Sequence, residues 1–331
     1  MKAAVNTRYG PPTVVHIADV ADPALQDNDV LIRVHVATVN RTDCGFRSGS
    51  PFIVRFFSGL TKPKLNILGT EFAGQVEAIG AGVTAFAVGD RVFGYSEDRF
   101  GAHAQYLTMP QDGPVATIPP NISYEQAAAS TEASHYALAS IKKAKVVSGH
   151  DVLVYGATGA IGSAAVQLLK TVGANVTAVC GPEHLDLVKS LGADRVIDRS
   201  AQDFTKDRAK YDLVFDAVGK SSFGRCKALL KPGGIYASTD LGPGAQNPVL
   251  AIVTPVFGIT GMFGGKQAML PIPPKYDQEM VLHFRSLIES GQFKPVIDRR
   301  YTLEQIVEAY TYVETGQKVG NVLLTIDGAP A

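Results

Sequence analysis

Hydrophobic positions recur at every second residue in the first part of the chain. Val30, Ile32, Val34 and Val36 follow this spacing, which is that of a strand with one side facing a core. The chain between the strand candidates contains turn-forming Gly and Pro. Short strands at this spacing predict a small β-barrel in residues 1–121. Further strand candidates are residues 14–20, 75–79, 91–94 and 104–109.

The middle of the chain has a different pattern. Residues 152–155 form a continuous apolar run, typical of a strand buried on both faces, and apolar residues at helical spacing follow. Gly156, Gly159 and Gly162 lie between the two. Such glycines allow a tight turn and close approach to a pyrophosphate, and the N–H groups of the helix start attract phosphate. An ordinary strand–helix turn without a ligand is the alternative, but a second helix and two further strands follow within residues 151–198 and favour a dinucleotide site.

The remaining pattern divides the chain into two domains. Strands are predicted at residues 212–218 and 235–239, and an apolar, Gly-rich stretch at 249–265 predicts the last strand. Capping boxes at Ser123 with Gln126 and at Thr302 with Gln305 predict helix starts. The predicted class is α/β, with a dinucleotide-binding domain at 126–271 and a substrate domain at 1–125 and 272–331.

Composition agrees with a soluble enzyme. The 331 residues include 31 Lys plus Arg and 31 Asp plus Glu, so the chain has no charge excess that would favour nucleic acid or an anionic membrane. No apolar run approaches the length of a membrane span, and no export signal is recognised at the first residues, which predicts a cytoplasmic protein without stable membrane insertion. The three cysteines are far apart and indicate a reducing compartment.

Three segments of the first domain have unusual composition. Residues 39–43 and 69–74 contain Asn, Asp, Thr and Glu between strand candidates, where such residues also commonly cap helices or form turns. Residues 50–66 join these segments and combine apolar side chains with Arg55, Lys62 and Lys64. They form either a flap over a hydrophobic substrate or an element packed on the barrel, and a membrane-surface role is a weaker alternative.

Several motifs in fixed order resemble the medium-chain dehydrogenase/reductase superfamily, in its zinc-independent quinone oxidoreductase and enone reductase branch. The resemblance covers nearly the whole chain and implies a Rossmann doubly wound parallel sheet plus a GroES-like β-barrel domain. It also implies a homodimer with a subunit contact at residues 249–265, as in dimeric relatives. The motifs are VNRTDCGFRSG, LGTEFAGQVEAIGAGVTAFAVGDRVFG, GAHAQY, VLVYGATGAIG and FKPVIDRRYTLEQIVEAYTYVETGQKVGNVLLTI.

The zinc branch of this superfamily does not match the sequence. Zinc-dependent relatives have Cys where Asn40 stands and His in a G-H-E triplet, which here is Gly69-Thr70-Glu71. A catalytic zinc site needs about three N, S or O ligands from the protein. The closely spaced cysteines of the structural zinc lobe are also missing from residues 94–101. We therefore expect no metal.

The end of the second Rossmann strand decides the expected cofactor. An NAD site usually has Asp or Glu there, whereas this chain has Cys180 and Gly181, which leave room for a 2′-phosphate. Arg199 follows the third strand, and its guanidinium could hold that phosphate by charge-assisted bonds. NADPH is therefore favoured over NADH. The other predicted cofactor contacts are Tyr155, Gly156, Ala157, Thr158, Gly159, Ala160, Ile161, Gly162, Val218, Gly219 and Leu241.

The resemblance implies hydride transfer to a quinone or an α,β-unsaturated carbonyl compound, a small hydrophobic substrate. Asn40 is the candidate beside the nicotinamide and the substrate oxygen, because an amide N–H stabilises a developing enolate oxygen. Asp43 is expected to orient neighbouring groups, and Thr131 to contact the carboxamide, with a purely local hydrogen bond as its alternative. The family's common Tyr near Gly45 is missing, so water is the expected proton source and no general acid is assigned.

Two other functions stay open at this point. One is metal-free aldehyde reduction or alcohol oxidation. The other is cofactor binding without catalysis, in an RNA-binding or structural role, although the balanced charge argues against nucleic acid.

Overall fold

A computed structural model of the chain describes residues 1–240, 242, 246–259, 264–272 and 276–326. It divides into two compact units, one of Met1–Glu132 with Tyr276–Ala331 and one of Ala133–Lys275. The domain boundaries predicted from the sequence are 1–125 with 272–331, and 126–271. In the structure, the chain leaves the first unit once and returns to it.

The elements follow in chain order. The strands are β1 (Lys2–Val5), β2 (His16–Asp19), β3 (Asp29–Val39), β4 (Glu71–Ile79), β5 (Arg91–Tyr95), β6 (Tyr106–Pro110), β7 (Val115–Thr117), β8 (Asp151–Tyr155), β9 (Asn175–Cys180), β10 (Arg195–Asp198), β11 (Tyr211–Asp216), β12 (Leu230–Ser238), β13 (Gln267–Met269), β14 (Ile297–Thr302) and β15 (Asn321–Thr325). The α-helices are α1 (Arg41–Ser48), α2 (Val54–Ser58), α3 (Tyr124–Ala128), α4 (Glu132–Lys143), α5 (Ala160–Val172), α6 (Leu185–Ser190), α7 (Phe223–Cys226), α8 (Gln246–Ile259), α9 (Gln278–Glu289) and α10 (Ile306–Glu314).

The first unit is built on a mainly antiparallel sheet with the order β14-β15-β3-β4-β5-β7, in which β6 also pairs with β3. The alternating residues Val30, Ile32 and Val34 of β3 are fully buried, as their spacing predicts. They share one core with residues of α10, including Ile306 and Tyr310. This core fixes the ends of β3 and β4, from which the polar segments at 40–43 and 69–71 extend.

The second unit is a six-stranded parallel sheet with the order β10-β9-β8-β11-β12-β13. Val152, Leu153 and Val154 of β8 are fully buried, as expected for a strand covered on both faces. The strand order reverses between β8 and β11, where a doubly wound sheet opens a crevice at its carboxyl edge. The predicted α/β class with a doubly wound parallel sheet is confirmed.

Three predicted strands differ from the structure. In residues 14–20 the strand begins only at His16, because Pro12 starts a short 3-10 helix over Pro12–Val14. In residues 212–218 the strand ends at Asp216, so Val218 lies in the following loop. The prediction of a strand within 249–265 is wrong: residues 246–259 form helix α8, and the last strand of the sheet is β13. A continuous apolar run has no periodicity that separates a buried strand from a buried helix. Residues 260–263 of this stretch lie outside the described residues.

The apolar segment at 50–66 presents its side chains to solvent. Phe52, Ile53, Phe56 and Phe57 are 54–73% exposed, around the short helix α2. These four side chains are therefore not buried against the sheet, although Ser58 of the same segment is buried. The flap interpretation stays a prediction.

Candidate active site and nucleotide-binding element

A capping box at the start of α1 holds two of the predicted catalytic residues. Asn40 is the N-cap: its Oδ1 accepts the Asp43 N–H at 2.9 Å, and Asp43 Oδ2 accepts the Asn40 N–H at 3.1 Å. The Asn40 amide also donates from Nδ2 to Thr70 Oγ1 at 2.8 Å. Among the described residues, the second N–H of that amide has no partner. The capping alternative for these residues is thus realised, and one oriented amide N–H remains for a ligand.

Asp43 connects α1 to the segment before β4. Its carboxyl is fully buried, and Oδ1 accepts the Gly69 N–H at 3.0 Å. Burial raises the pKa of Asp43 to about 7, although the two backbone hydrogen bonds oppose the shift. His103 Nε2 lies 3.9 Å from Asp43 Oδ2 and 2.8 Å from the Thr38 carbonyl oxygen. Burial lowers the pKa of His103 to about 4, so its ring is neutral at pH 7. Asp43 therefore holds the backbone at Asn40 and at Gly69, and its predicted role in orienting groups of the active site stays a prediction.

The Glu71 carboxyl group accepts hydrogen bonds from the chain at Thr131 and Glu132. The sequence did not reveal this role. Glu71 Oε1 accepts the Thr131 N–H at 3.2 Å, the Thr131 hydroxyl at 2.8 Å and the Glu132 N–H at 2.7 Å. Its Oε2 accepts the Thr38 hydroxyl at 2.5 Å. Burial raises the pKa of Glu71 above its ordinary range. Thr131 lies between α3 and α4 and its hydroxyl bonds to Glu71; its contact with a carboxamide stays a prediction.

A second buried carboxyl group lies beside Glu71. Glu132 is 8% exposed, and its Oε1 accepts the Thr42 hydroxyl at 2.5 Å. Burial and the neighbouring Glu71 raise the pKa of Glu132 well above its ordinary range, while burial lowers the pKa of Lys318 nearby. Glu71 and Glu132 each stand in a stretch of mainly small or apolar residues, GTEFAG and ASTEAS. A single acidic residue among small or apolar residues was the sequence signal that could have identified both of them.

In the second unit, the three glycines have three different roles. Gly156 has φ +84°, and a Cβ there would lie 2.4 Å from Val218 Cγ1. A Cβ on Gly162 would lie 2.1 Å from the Gly156 carbonyl oxygen, which explains the close helix–strand packing. A Cβ on Gly159 would meet protein only at 3.6 Å. That space is where a pyrophosphate would approach the backbone.

The start of α5 fits an anionic group. Gly159 is its N-cap, and no described side chain caps the helix, so the N–H groups of the first turn are available to a ligand. The helix runs for 13 residues from Ala160 to Val172. The glycine cradle and this helix start together fit the pyrophosphate of a dinucleotide.

Parallel pairing brings the predicted cofactor residues of this unit to one edge. Tyr155 of β8 pairs with Val179, and Asp198 of β10 pairs with Cys180, so the strands end together. Asp216 accepts the N–H groups of Val218 at 3.2 Å and Gly219 at 2.8 Å, and so shapes the loop after β11. Leu241 lies outside the described residues. The residues brought to this edge are Tyr155, Gly156, Ala157, Thr158, Gly159, Ala160, Ile161, Gly162, Cys180, Gly181, Arg199, Val218 and Gly219.

A cavity of about 430 Å³ lies at the same edge, and its lining includes Tyr155, Arg199, Phe204 and Arg225. The rings of Tyr155 and Phe204 are stacked with centroids 4.6 Å apart. Arg199 and Arg225 are exposed and form no ion pair with any described residue. Two free guanidinium groups beside an aromatic pair suit a phosphate-bearing nucleotide.

The described residues contain neither a grouped set of metal-ligating side chains nor a membrane-spanning helix. No group of three or more His, Cys, Asp or Glu side chains there is arranged to hold a metal ion. Of the helices in the same part of the chain, none combines the length and apolar character needed to cross a bilayer.

Comparison with known proteins decides the family. Residues 26–120 match the alcohol dehydrogenase GroES-like domain, and residues 191–324 match the family described as zinc-binding dehydrogenase. The chain is 32% identical to the 2-methylene-furan-3-one reductase of Solanum lycopersicum over 336 residues, which cover 98% of this chain and 79% of that protein. The chain belongs to the medium-chain dehydrogenase/reductase superfamily. The predicted resemblance and its GroES-like domain are thereby confirmed.

Other members of the superfamily match over nearly their whole length. The quinone oxidoreductase of Homo sapiens is 29% identical, with 98% of each chain covered. The solved structure of the quinone oxidoreductase from Coxiella burnetii superposes with a TM-score of 0.83 at 26% identity, over 98% of this chain and 99% of that one. As a member of this superfamily, the chain is an NAD(P)H-dependent oxidoreductase.

Proposed function

We propose that the chain is an NADPH-dependent, zinc-independent reductase that transfers hydride to the electrophilic carbon of a quinone or an α,β-unsaturated carbonyl compound. The observation that carries this proposal is the Asn40 amide, which is held by its cap and by Thr70 and whose second N–H has no partner in the described part of the chain. Such a donor, fixed before the substrate binds, stabilises negative charge that develops on a substrate oxygen. Relatives named 2-methylene-furan-3-one reductase, alkenal/one oxidoreductase and quinone oxidoreductase support this substrate class.

The donor set of the first unit argues for chemistry without zinc. Asn40 offers a carboxamide where zinc-dependent relatives have a thiolate. The nearby thiol of Cys44 is buried, and burial raises its pKa to about 12, which disfavours the thiolate that zinc prefers. His103 is engaged with the Thr38 carbonyl. The bound reduced nicotinamide supplies the hydride, and the protein provides orientation and charge stabilisation.

The first experiment measures NADPH oxidation with a medium-chain enone, with product mass determined and NADH run in parallel. We expect enone-dependent turnover that yields the saturated ketone and is faster with NADPH. Allylic alcohol as the product would indicate carbonyl reduction instead. Tight NADPH binding with no turnover of enones or quinones would contradict the proposed activity.

Asn40→Ser is expected to lower kcat for the enone by about 10²-fold, the usual cost of losing one oxyanion donor. Serine keeps the N-cap acceptor for the Asp43 N–H but has no amide N–H, so stability should change by only about 0.5 kcal/mol. Steady-state kinetics and thermal unfolding measure the two effects separately. Unchanged kcat and KM in Asn40→Ser and in Asn40→Ala would exclude the proposed role.

Arg199→Ala is expected to weaken NADPH binding by about 10-fold and to leave NADH binding unchanged. One charge-assisted hydrogen bond to the 2′-phosphate accounts for this factor. Isothermal titration with both cofactors tests it, with Arg208→Ala as a control because Arg208 is also exposed but lies outside the cavity lining. Equal weakening for both cofactors would show that Arg199 does not read the 2′-phosphate.

A further inference from the structure

One surface of the first unit exposes apolar side chains that come from a single short stretch of chain. Phe52, Ile53, Phe56, Phe57 and Leu60 are 54–73% exposed, within and beside helix α2. The rings of Phe52 and Phe56 are in contact, with centroids 5.8 Å apart. Scattered exposed apolar residues are ordinary, but adjoining ones mark a surface that meets an apolar partner. We call these five residues the apolar surface.

The polar groups of the same stretch are bonded to the rest of the first unit. The Tyr9 hydroxyl donates to the Gly59 carbonyl oxygen at 2.5 Å and lies 2.7 Å from Ser58 Oγ. Arg55 Nε donates to the Gly49 carbonyl oxygen at 3.1 Å, and its guanidinium lies over the Tyr9 ring, 4.7 Å from the centroid. The apolar surface is thus fixed before any partner binds, which lowers the entropic cost of docking.

Basic side chains lie beside the apolar surface. The Lys64 N–H donates to the Ser58 carbonyl oxygen at 2.7 Å, so the chain at Lys62 and Lys64 folds back next to α2. Both lysines are exposed and form no ion pair with any described residue. Together with Thr7, Pro63 and Asn66 they line a cavity of about 450 Å³. An open cavity with two free ammonium groups suits a phosphate group.

The local charge differs from that of the whole chain. Residues 44–70 contain two Arg and two Lys but neither Asp nor Glu, although the complete chain has equal numbers of basic and acidic residues. The balanced total therefore conceals a segment that is basic throughout. A negatively charged partner would complement it.

The combination of apolar and basic groups favours a lipid bilayer as this partner. Phe and Leu side chains enter the boundary of the acyl chains, while lysines reach the headgroups with their flexible stems. Anionic lipids supply the negative charges that residues 44–70 lack. A second copy of the chain does not supply them, because pairing the apolar surface with itself across a two-fold axis would bring the lysines of both copies together.

We propose that the apolar surface docks the protein on anionic lipid bilayers, with Phe56 and Phe57 at the acyl boundary and Lys62 and Lys64 at the lipid phosphates. Docking of this kind is peripheral, and the apolar side chains reach about 5–10 Å into the interface. The inference goes beyond the proposed reductase function and does not depend on it, because docking needs neither cofactor nor substrate. Of the interpretations of residues 50–66, it selects the membrane-surface role.

Sedimentation with vesicles, without cofactor, tests the proposal. Wild type should bind vesicles of phosphatidylcholine with about 30% phosphatidylserine at least about 10-fold more tightly than phosphatidylcholine alone, and high salt should weaken this binding. Lys62→Gln combined with Lys64→Gln should weaken it by about 20-fold, the usual effect of two lysines at an anionic surface. Phe56→Asn combined with Phe57→Asn should weaken it by at least about 10-fold.

Matched controls change the same residue types elsewhere. Lys142→Gln combined with Lys206→Gln removes two exposed lysines of the second unit, and Val88→Asn removes an apolar side chain of the first unit that is 63% exposed. Both controls should bind the vesicles as wild type does. All of these side chains are exposed, so circular dichroism should show folded proteins throughout.

The absence of tryptophan from the chain allows a direct measurement of insertion. The emission of Phe57→Trp should move to shorter wavelength with the anionic vesicles and should be quenched by brominated acyl chains. Val88→Trp should respond to neither. Emission of Phe57→Trp that the vesicles leave unchanged would overturn the inference, even if the lysines hold the protein on the vesicle.

Three other results would also overturn it. The first is wild type that does not sediment with the anionic vesicles. The second is a lower molecular mass of the Phe56→Asn and Phe57→Asn variant in light scattering without vesicles, which would assign the apolar surface to a second copy. The third is unchanged vesicle binding in this variant with a higher KM for a soluble enone, which would assign it to the substrate flap. Enone reduction by wild type is measured separately, so the inference and the proposed function fail independently.

Discussion

Gly162→Ala is expected to destabilise the second unit by about 3 kcal/mol, at the upper end of the usual cost of overpacking. The new Cβ would lie 2.1 Å from the Gly156 carbonyl oxygen and 2.9 Å from Ala157 Cα. Both are backbone atoms, so no side-chain rotation relieves the overlap and α5 must move away from the turn. NADPH binding should be lost together with stability, because the same turn forms the pyrophosphate cradle.

Gly159→Ala is the matched control for that prediction. Its Cβ would meet the nearest protein atom at 3.6 Å, an ordinary contact, and its φ of −69° suits any residue. Stability should therefore stay within about 0.5 kcal/mol of wild type. The added methyl group fills the space left for the pyrophosphate, so NADPH should bind at least about 10-fold more weakly.

Urea unfolding followed by circular dichroism measures both stabilities, a suitable method since the chain has no tryptophan. Titration with NADPH measures the affinities. Equal stability loss in the two variants would contradict the packing argument. Unchanged NADPH affinity in Gly159→Ala would contradict the location of the pyrophosphate.

Glu71→Ala is expected to destabilise the first unit by about 3–5 kcal/mol. The substitution leaves the buried Thr131 and Glu132 N–H groups without an acceptor and opens a cavity, and the two costs add. Glu71→Gln keeps an acceptor oxygen at the same place and should cost about 1 kcal/mol or less, because it also removes a buried charge.

The two Glu71 variants also differ from wild type in the pH dependence of stability. Burial raises the pKa of Glu71 above its ordinary 4.5, so the folded state binds the proton more tightly than the unfolded state. Wild type should therefore lose stability as pH rises above about 4.5, until the folded-state pKa is passed. Glu71→Gln has no carboxyl group to ionise at this position and so lacks the loss of stability caused by Glu71. Its free energy of unfolding relative to wild type should therefore increase as pH rises. Urea unfolding at several pH values tests this pH dependence. Equal stability of Glu71→Ala and Glu71→Gln would contradict the stabilising role of the hydrogen bonds to Glu71.

Most elements of the fold were predictable because their signals are local. The alternation in β3, the continuous apolar run of β8 and the glycine spacing after it all reflect the side on which neighbouring residues are buried. The capping boxes at Ser123 and Thr302 are formed as predicted, since each depends on residues three positions apart. The strand prediction for the apolar stretch that forms α8 was wrong, because the composition of this stretch fits a buried helix as well as a strand.

The candidate site was predictable only where a residue stands in a motif. Asn40 and Asp43 stand in such a motif, and the structure shows their mutual capping, which was one of two interpretations; their catalytic roles stay predictions. Glu132 was not selected, although it forms the pair with Thr42. Residues 42 and 132 are far apart in the chain, and no local pattern relates them.

The sequence by itself determined the α/β class, because hydrophobic periodicity acts over a few residues, and the resemblance of its motifs implied the doubly wound sheet. The glycine spacing also predicts the place of the pyrophosphate turn. Only the tertiary structure decided that Thr38, Thr131 and Glu132 all donate to Glu71, and that Thr42 meets Glu132. It also decided the direction in which the pKa values of Glu71 and Glu132 are shifted. The pKa of a carboxyl group depends on its burial and on the charges around it, and both exist only after distant segments of the chain have packed together.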